Sequence, residues 1–374
     1  MPVDTLGIRL AAQLLYLPWQ LLGAHPPLSR PKKVLMLKPG SLSEVLLATP
    51  LLTVLHEAYP QARFDWVVGS WERPAIASNR RIRQLIDAGK VGQKGGAWGE
   101  VTGLIERIAN EGYDTCFIPS ESALLAYVAW RAGIPQRIGL RGAWTGFAHT
   151  IGVKPGPEVV HEAERYLALA RVFQLRGDAP TFFEPTDDER QEATRLLMDV
   201  VGWDQERPLI ILHPGGGIRP DQTRAMVRWP AERFALLANH LQRSHDAEVV
   251  LLGLEAEAEL VTAVKGMMSN RGHCLAGQVS LGVLGALAEV ADLYVGHDTG
   301  ATHVAAAVGC PTLALFGPTE PAVSQPYSGD HTIIVVRDSQ EGGFSWSDKM
   351  PPEQVIMAAD HLLKLRHGLG MVTG

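Results

Sequence analysis

Cysteine is scarce in this 374-residue chain: Cys116, Cys274 and Cys310 lie far apart, each among apolar neighbours. They offer no zinc-ligand spacing and no disulfide framework, which points to a reducing compartment. Positive charge is not concentrated anywhere. The net charge is −6 and no basic block occurs, so nucleic acid is not an expected partner. Long uninterrupted apolar runs are also missing. The nearest to one, LGIRLAAQLLYLPWQLLG from Leu6 to Gly23, is broken by Arg9 and Pro18 and is marginally short for a membrane span. It lacks the basic n-region and small-residue cleavage site of a signal peptide. Two readings stand: a helix packed on the protein itself or on a neighbouring subunit, or an interfacial helix on a membrane, suited by Tyr16, Trp19 and the following RPKK. There is no internal repeat, no Asp-x-Asp metal motif at a strand end and no Gly-x-Ser-x-Gly elbow. The missing Asp-x-Asp motif means that no metal is implied.

What remains is ordinary globular composition, 46% hydrophobic and 20% charged, in a length that suggests about two domains. After the Pro-rich break HPPLSRPKK, strand and helix patterns alternate. KVLMLK, ARFDWVVG, YDTCFIP and QRIGL read as strands. SEVLLATPLLTVLHEAYP reads as a helix kinked by Pro50, and GEVTGLIERIANEG and ALLAYVAWRAG as further helices. HEAERYLALARVFQLRG reads as one long amphipathic helix, and GDAPTFFEPTDDERQEA as a polar linker. The pattern then restarts with strands PLIILHPGGG, AEVVLLG, DLYVG and TLALFG. The intervening helices are PAERFALLANHLQRS, EAEAELVTAVKGMM, SLGVLGALAEV and ATHVAAAVG. This is βαβ logic, which implies parallel sheets covered on both faces. The expected division is an apolar extension 1–30, a first domain 31–185, a second domain 186–350, and a last helix 351–374 placed to cross back to the first domain.

Three turns carry candidate chemistry. In LKPGSLSEVLLATP a strand ends in a Gly/Ser turn containing Ser41 and Ser43, and Glu44 opens the helix. Ser43 and Glu44 suit a helix cap and a dipole partner, or Glu44 suits a general base for a substrate hydroxyl. In LHPGGGIRPDQTRAMVRWP a strand runs into Gly215 and Gly216, whose backbone can approach a phosphate closely. No Gly-Lys-Ser/Thr follows, so this is not a Walker A loop. Arg219, Arg224 and Arg228 could neutralise a pyrophosphate there, or each could be a solvated loop residue. In GHDTGATHVAAAVG, Asp298, Thr299 and Gly300 form a strand-to-helix turn, where free N–H groups favour an anion. Asp298 could orient that turn or meet sugar hydroxyls. His303 could be a core histidine or a ligand contact. Among Glu255–Glu259, one carboxylate after a strand could hold a ribose.

Taken in order, these segments resemble glycosyltransferase family 9, the ADP-heptose:lipopolysaccharide heptosyltransferases, from about Lys33 to the final helix. The first turn and helix, RIGL, HEAERYLAL and RWPAERFALLANHL all carry the likeness, and DTGATHVAAAVGCPTLALFGPTEP is its most specific part. The resemblance implies an α/β protein of GT-B fold, with two Rossmann-like doubly wound parallel-sheet domains facing a central cleft. It implies an inverting transferase that moves a heptose or related sugar from an ADP-sugar to a glycan or lipid-linked acceptor, with no metal and no cofactor besides the ADP-sugar substrate. Where the family has a Gly-Asp pair holding its base, this chain has Ser43-Glu44, so Glu44 takes that role. Where the family often has a lysine before Trp-Pro, this chain has Val227, and Arg224 or Arg228 would replace its charge. Asp298, Thr299, Gly300 and His303 match donor contacts to sugar and phosphate. Val279 matches a backbone contact to adenine, and Glu257 or Glu259 a ribose carboxylate. The implied location is cytoplasmic, with peripheral contact on the inner face of the membrane through residues 6–23. Two alternatives stay open: a catalytically weakened relative that binds nucleotide sugar or glycan without turnover, and a nucleotide-sugar epimerase of the same architecture.

Overall fold

The computed structural model describes residues 29–91, 97–142, 148–216, 228–328, 333–337 and 350–370. The apolar stretch 6–23, together with Arg219, Arg224 and Val227, lies outside the described residues. The chain divides into two compact units, 1–180 and 181–374, a few residues ahead of the expected boundary. No helix among the described residues is long and apolar enough to cross a membrane.

The first unit is built on β1 (Lys33–Leu37), β2 (Arg63–Val68), β3 (Ile82–Asp87), β4 (Thr115–Ile118), β5 (Gln136–Leu140) and β6 (Ile151–Val153). All neighbours are parallel, in the order β3-β2-β1-β4-β5-β6. The central strands are apolar throughout because helices cover both faces. Those helices are α1 (Leu42–Leu47), α2 (Thr49–Ala58), α3 (Trp98–Glu111), α4 (Ala123–Arg131) and α5 (Glu162–Leu167). Pro50, in the first turn of α2, separates it from α1 at Ala48, as a proline inside a helical pattern should. Helix α3 buries Val101, Leu104 and Ile108 on one stripe and stops at Gly112, whose φ of 65° suits a residue without Cβ.

The second unit repeats the plan with β7 (Leu209–His213), β8 (Glu248–Leu251), β9 (His273–Cys274), β10 (Leu293–His297), β11 (Thr312–Phe316) and β12 (Ile333–Arg337). Its order, β12-β11-β10-β7-β8-β9, is the same double winding. The helices are α6 (Asp187–Arg195), α7 (Ala231–His245), α8 (Ala258–Met267), α9 (Leu281–Val290), α10 (Gly300–Ala307), α11 (Pro321–Ser324) and α12 (Pro352–Gly370). Two Rossmann-like units in tandem make this a GT-B chain. In each, the crevice outside the carboxyl ends of the strands opens where the winding reverses. That point lies between β1 and β4 in one unit and between β7 and β10 in the other.

Several expectations are corrected. The long amphipathic helix stops at Leu167; a short 3-10 turn follows over Ala170–Phe173, and Gln174 leaves it with φ 60°. The polar linker contains α6, begun by a capping box in which Thr186 accepts from the Glu189 N–H and Glu189 accepts from the Thr186 N–H. The last helix packs on its own unit: Val355, Ala359, Leu362 and Leu363 are buried in one cluster with strand residues Ile210, Leu293 and Leu313. Their i, i+4, i+7, i+8 spacing is an apolar helix stripe. Leu363→Ala should therefore lower the stability of the second unit by about 2–5 kcal/mol. Denaturant unfolding checks this, and a change within error would show that α12 is dispensable to that core.

Candidate active site

At the first reversal point, β1 ends at Leu37 and the chain turns through Lys38 to Ser41 into α1. Ser41, rather than Ser43, is the cap: its Oγ accepts from the Glu44 N–H at 3.3 Å, while Glu44 Oε2 accepts from the Ser41 N–H at 2.7 Å. Ser43 Oγ lies 3.1 Å from Ser41 Oγ. Gly40 permits this fold-back, since a Cβ there would stand 2.6 Å from Glu44 Oε2. Lys38 is buried, its Nζ 3.5 Å from Glu44 Oε1 and 5.1 Å from the centre of the Tyr166 ring. Desolvation would raise the pKa of Glu44, but the Lys38 charge and the Ser41 hydrogen bonds outweigh it and hold the carboxyl below its ordinary value. Glu44 is folded back onto the turn by these contacts yet remains partly exposed, so an ionised carboxylate is accessible to solvent there.

A second carboxylate joins it. Glu162, the first residue of α5, accepts from Tyr166 Oη at 3.2 Å. Burial and then the charge of Glu44 push its pKa up. The two acids are driven in opposite directions, a pattern that marks acid and base assignments in active sites. The sequence reading passed over Glu162, although it stands in HEAERYLAL. Only the packing of α5 beside α1 brings it near.

At the second reversal point, β7 and β10 each end in a histidine. His297 is fully buried. Its Nε2 accepts from the Trp229 N–H at 2.8 Å, so Nδ1 carries the proton and donates to Gly215 O at 2.9 Å. His213 Nδ1 lies 2.9 Å from Tyr294 Oη, and its Nε2 lies 3.5 Å from Glu257 Oε2. Neither histidine was singled out from sequence, where each reads as the last residue of an apolar strand. Glu257 is only 2% exposed and sits beneath Gly215, where a Cβ would overlap its Oε2. Its Oε2 accepts from the Leu254 N–H at 2.9 Å, and its Oε1 lies 3.5 Å from Arg228. Burial opposes its ionisation, yet His213, the Leu254 N–H and Arg228 lower its pKa to about 2. The structure thus joins Gly215, Arg228 and Glu257 into one group, with the carboxylate turned inward.

Thr299 caps α10 with extended backbone and no side-chain bond to it, which leaves the first-turn N–H groups of Gly300 and Ala301 without a capping side chain. Thr302 Oγ1 donates to His297 O at 2.5 Å and lies 3.4 Å from Thr299 Oγ1. Asp298 is near the surface and accepts from Ser324 Oγ at 3.4 Å. His303 is buried with its Nε2 3.7 Å from Asp298 Oδ1, and neither ring nitrogen has a hydrogen-bond partner among the described residues. A core histidine would normally have one. Val279 precedes the Ser280 cap of α9 and Gly216 lies at the last described position after β7, both half-buried.

Comparison with known proteins identifies the family and the fold. Residues 101–352 match the profile of glycosyltransferase family 9 (heptosyltransferase). The chain is 27% identical over 351 residues to lipopolysaccharide heptosyltransferase 2 of Escherichia coli K12, covering 88% of this chain and 98% of that one. It is 26% identical over 359 residues to lipooligosaccharide heptosyltransferase 2 of Haemophilus influenzae, covering 88% and 99%. The solved structure of E. coli ADP-heptose lps heptosyltransferase II superposes with a TM-score of 0.72 at 26% identity, covering 90% and 99%. A family 9 glycosyltransferase from Veillonella parvula shares the fold with a TM-score of 0.80 at 24% identity, covering 90% and 98%.

The His297 clasp generates a pH prediction. Burial, the dominant influence, lowers the His297 pKa from 6.5 to about 4, and the Gly215 hydrogen bond only partly offsets it. In the unfolded chain this histidine takes a proton below pH 6.5 that the folded chain refuses until about pH 4. Its contribution to stability is therefore present above pH 6.5 and is lost as pH falls through that window, by roughly 3 kcal/mol in all. A His297→Gln variant should be less stable at neutral pH and show a flatter stability profile between those limits. Parallel profiles for the two proteins would show that His297 titrates normally.

Proposed function

The chain belongs to glycosyltransferase family 9, and on that footing we propose that it transfers a heptose or related sugar from an ADP-sugar, with inversion, to a hydroxyl of a glycan or lipid-linked acceptor. The observation that carries this reading is Glu44, a partly exposed carboxylate held ionised by buried Lys38 at the reversal point of the first sheet. In the proposed step Glu44 takes the acceptor proton as the acceptor oxygen attacks the anomeric carbon. The bond from that carbon to the β-phosphate oxygen breaks, its electron pair leaves with ADP, and the sugar inverts.

The donor is assigned to the second sheet. The first-turn N–H groups of α10 meet the diphosphate, and Gly215 and Gly216 let the backbone approach it. Arg228, with Arg224, neutralises the developing phosphate charge. Asp298 and Thr299 face the sugar, His303 stands behind Asp298, and the backbone at Val279 meets the adenine. Glu257 reaches a ribose only when its ion pair with Arg228 opens. The lipopolysaccharide heptosyltransferases among the relatives support a heptose donor and a lipid-linked acceptor. Peripheral contact with a membrane through residues 6–23 would bring such an acceptor within reach.

Incubation with ADP-heptose and a lipopolysaccharide-core acceptor should release ADP and form a glycoside whose anomeric configuration, read by NMR, is opposite to that of the donor. Glu44→Gln should lower kcat by roughly 10²–10⁴-fold while nucleotide affinity stays near that of the unaltered protein. Full turnover by Glu44→Gln, or retention of configuration, would contradict the mechanism. Nucleotide binding without turnover by the unaltered protein would favour the weakened-relative reading.

A further inference from the structure

Far from these turns, His240 and His245 of α7 meet Asp360 of α12. His240 Nε2 lies 3.0 Å from Asp360 Oδ1 and 3.1 Å from Oδ2, and His245 Nε2 lies 2.7 Å from the same Oδ1. One ligand atom from each residue falls within 4.8 Å of the others. All three side chains are between 18% and 29% exposed, so the group is partly desolvated yet open to solvent. Its position follows from the winding. Helix α7 runs 15 residues, roughly 22 Å, back from the carboxyl end of β7 toward the start of β8. The cluster near its last turns therefore lies toward the opposite edge of the sheet from the donor turns. His245 is the final helical residue, and Asp246 after it is left-handed at φ 53°. That reversal ends the helix and lets a residue five positions from His240 turn to the same carboxylate. The neighbouring cation, Arg243, is drawn away, its Nε donating to Asn239 O at 3.0 Å.

We propose that His240, His245 and Asp360 form a binding site for a borderline divalent transition-metal ion, zinc in the first instance, that fastens α12 to α7. Two imidazoles and one carboxylate are a common zinc donor set, with water completing the tetrahedron. Ligands at about 2.0–2.1 Å from a tetrahedral ion stand about 3.3 Å apart. The nitrogen-to-oxygen distances here, 2.7 to 3.1 Å, need open by only a few tenths of an ångström, and with all three ligand atoms within 4.8 Å of one another side-chain rotation can bring the two imidazoles to the same spacing. Helix α12 already seats four residues in the core of its unit, so an ion at this seam adds a second fastening on its outer side. The site is structural and takes no part in the proposed transfer.

The test uses the full-length protein stripped with EDTA and titrated calorimetrically with Zn²⁺, with Co²⁺ as a spectroscopic probe. The expected results are one saturable site, visible d–d absorption of tetrahedral Co²⁺, and a Zn²⁺-dependent rise in Tm on the order of 5 °C at saturation. His240→Ala/His245→Ala should bind at least roughly tenfold more weakly and lose the Tm rise. Asp360→Asn, which keeps the shape of the side chain, should weaken binding while leaving the circular dichroism spectrum unchanged. Any Zn²⁺ bound equally by the unaltered and double-variant proteins belongs to other residues. The proposal is overturned if no binding component disappears in the double variant, or if the stripped protein binds no Zn²⁺ up to about 1 mM.

Discussion

Both ring nitrogens of His297 are engaged by backbone, and the turns at the second unit's reversal point depend on that fact. One accepts from Trp229 and the other donates to Gly215, so the described residues on either side of segment 217–227 are tied to the end of the same central strand. Only a neutral imidazole with the proton on Nδ1 can make both bonds; complete burial keeps the ring neutral and the two backbone partners select the tautomer. From this clasp the rest follows. Gly215 is held over Glu257, Glu257 is held by His213 and Arg228, and Trp229 is fixed at the start of α7. His297 O also receives Thr302 Oγ1, which anchors the first turn of α10. A side chain at the end of one strand thereby positions the turns that flank the reversal point.

The first unit uses the same winding for a different electrostatic end. A buried lysine is costly unless it is paired, and Lys38 is paired with Glu44 and lies over the Tyr166 ring. The pairing keeps Glu44 ionised, and the charge of Glu44 in turn discourages ionisation of Glu162. Two carboxyls on adjacent helices thus have opposite protonation preferences. Such a division suits one carboxyl to accept a proton while the other keeps its own.

The sequence made the central strands and the three glycine- and serine-rich turns legible, because fully buried parallel strands are continuous apolar runs and their turns carry small residues. It concealed the edges. The strands β3 (IRQLID), β6 (IGV), β9 (HC) and β12 (IIVVR) are short, partly exposed or close to polar segments. β3 is joined to β2 through a pairing visible only in three dimensions: Arg83 Nε donates to buried Asp65 at 2.9 Å, and Tyr113 Oη donates to it at 2.7 Å. The polar sequence DDERQEA looked like part of a linker because its helix is mostly exposed; the Thr186 and Glu189 cap was the readable signal. At the site, Asp298, Thr299 and Glu44 could be found by motif. His213, His297 and Glu162 could not, since their roles arise from neighbours more than 40 positions away or from a helix packed alongside.

The most direct test of the account is a crystal structure of the protein with ADP bound. The account predicts the diphosphate at the first turn of α10 beside Gly215 and Gly216, with adenine near Val279 and the His297 bonds to Gly215 and Trp229 intact. A nucleotide seated away from the β7 and β10 turns, or a complex in which His297 has released both partners, would contradict it.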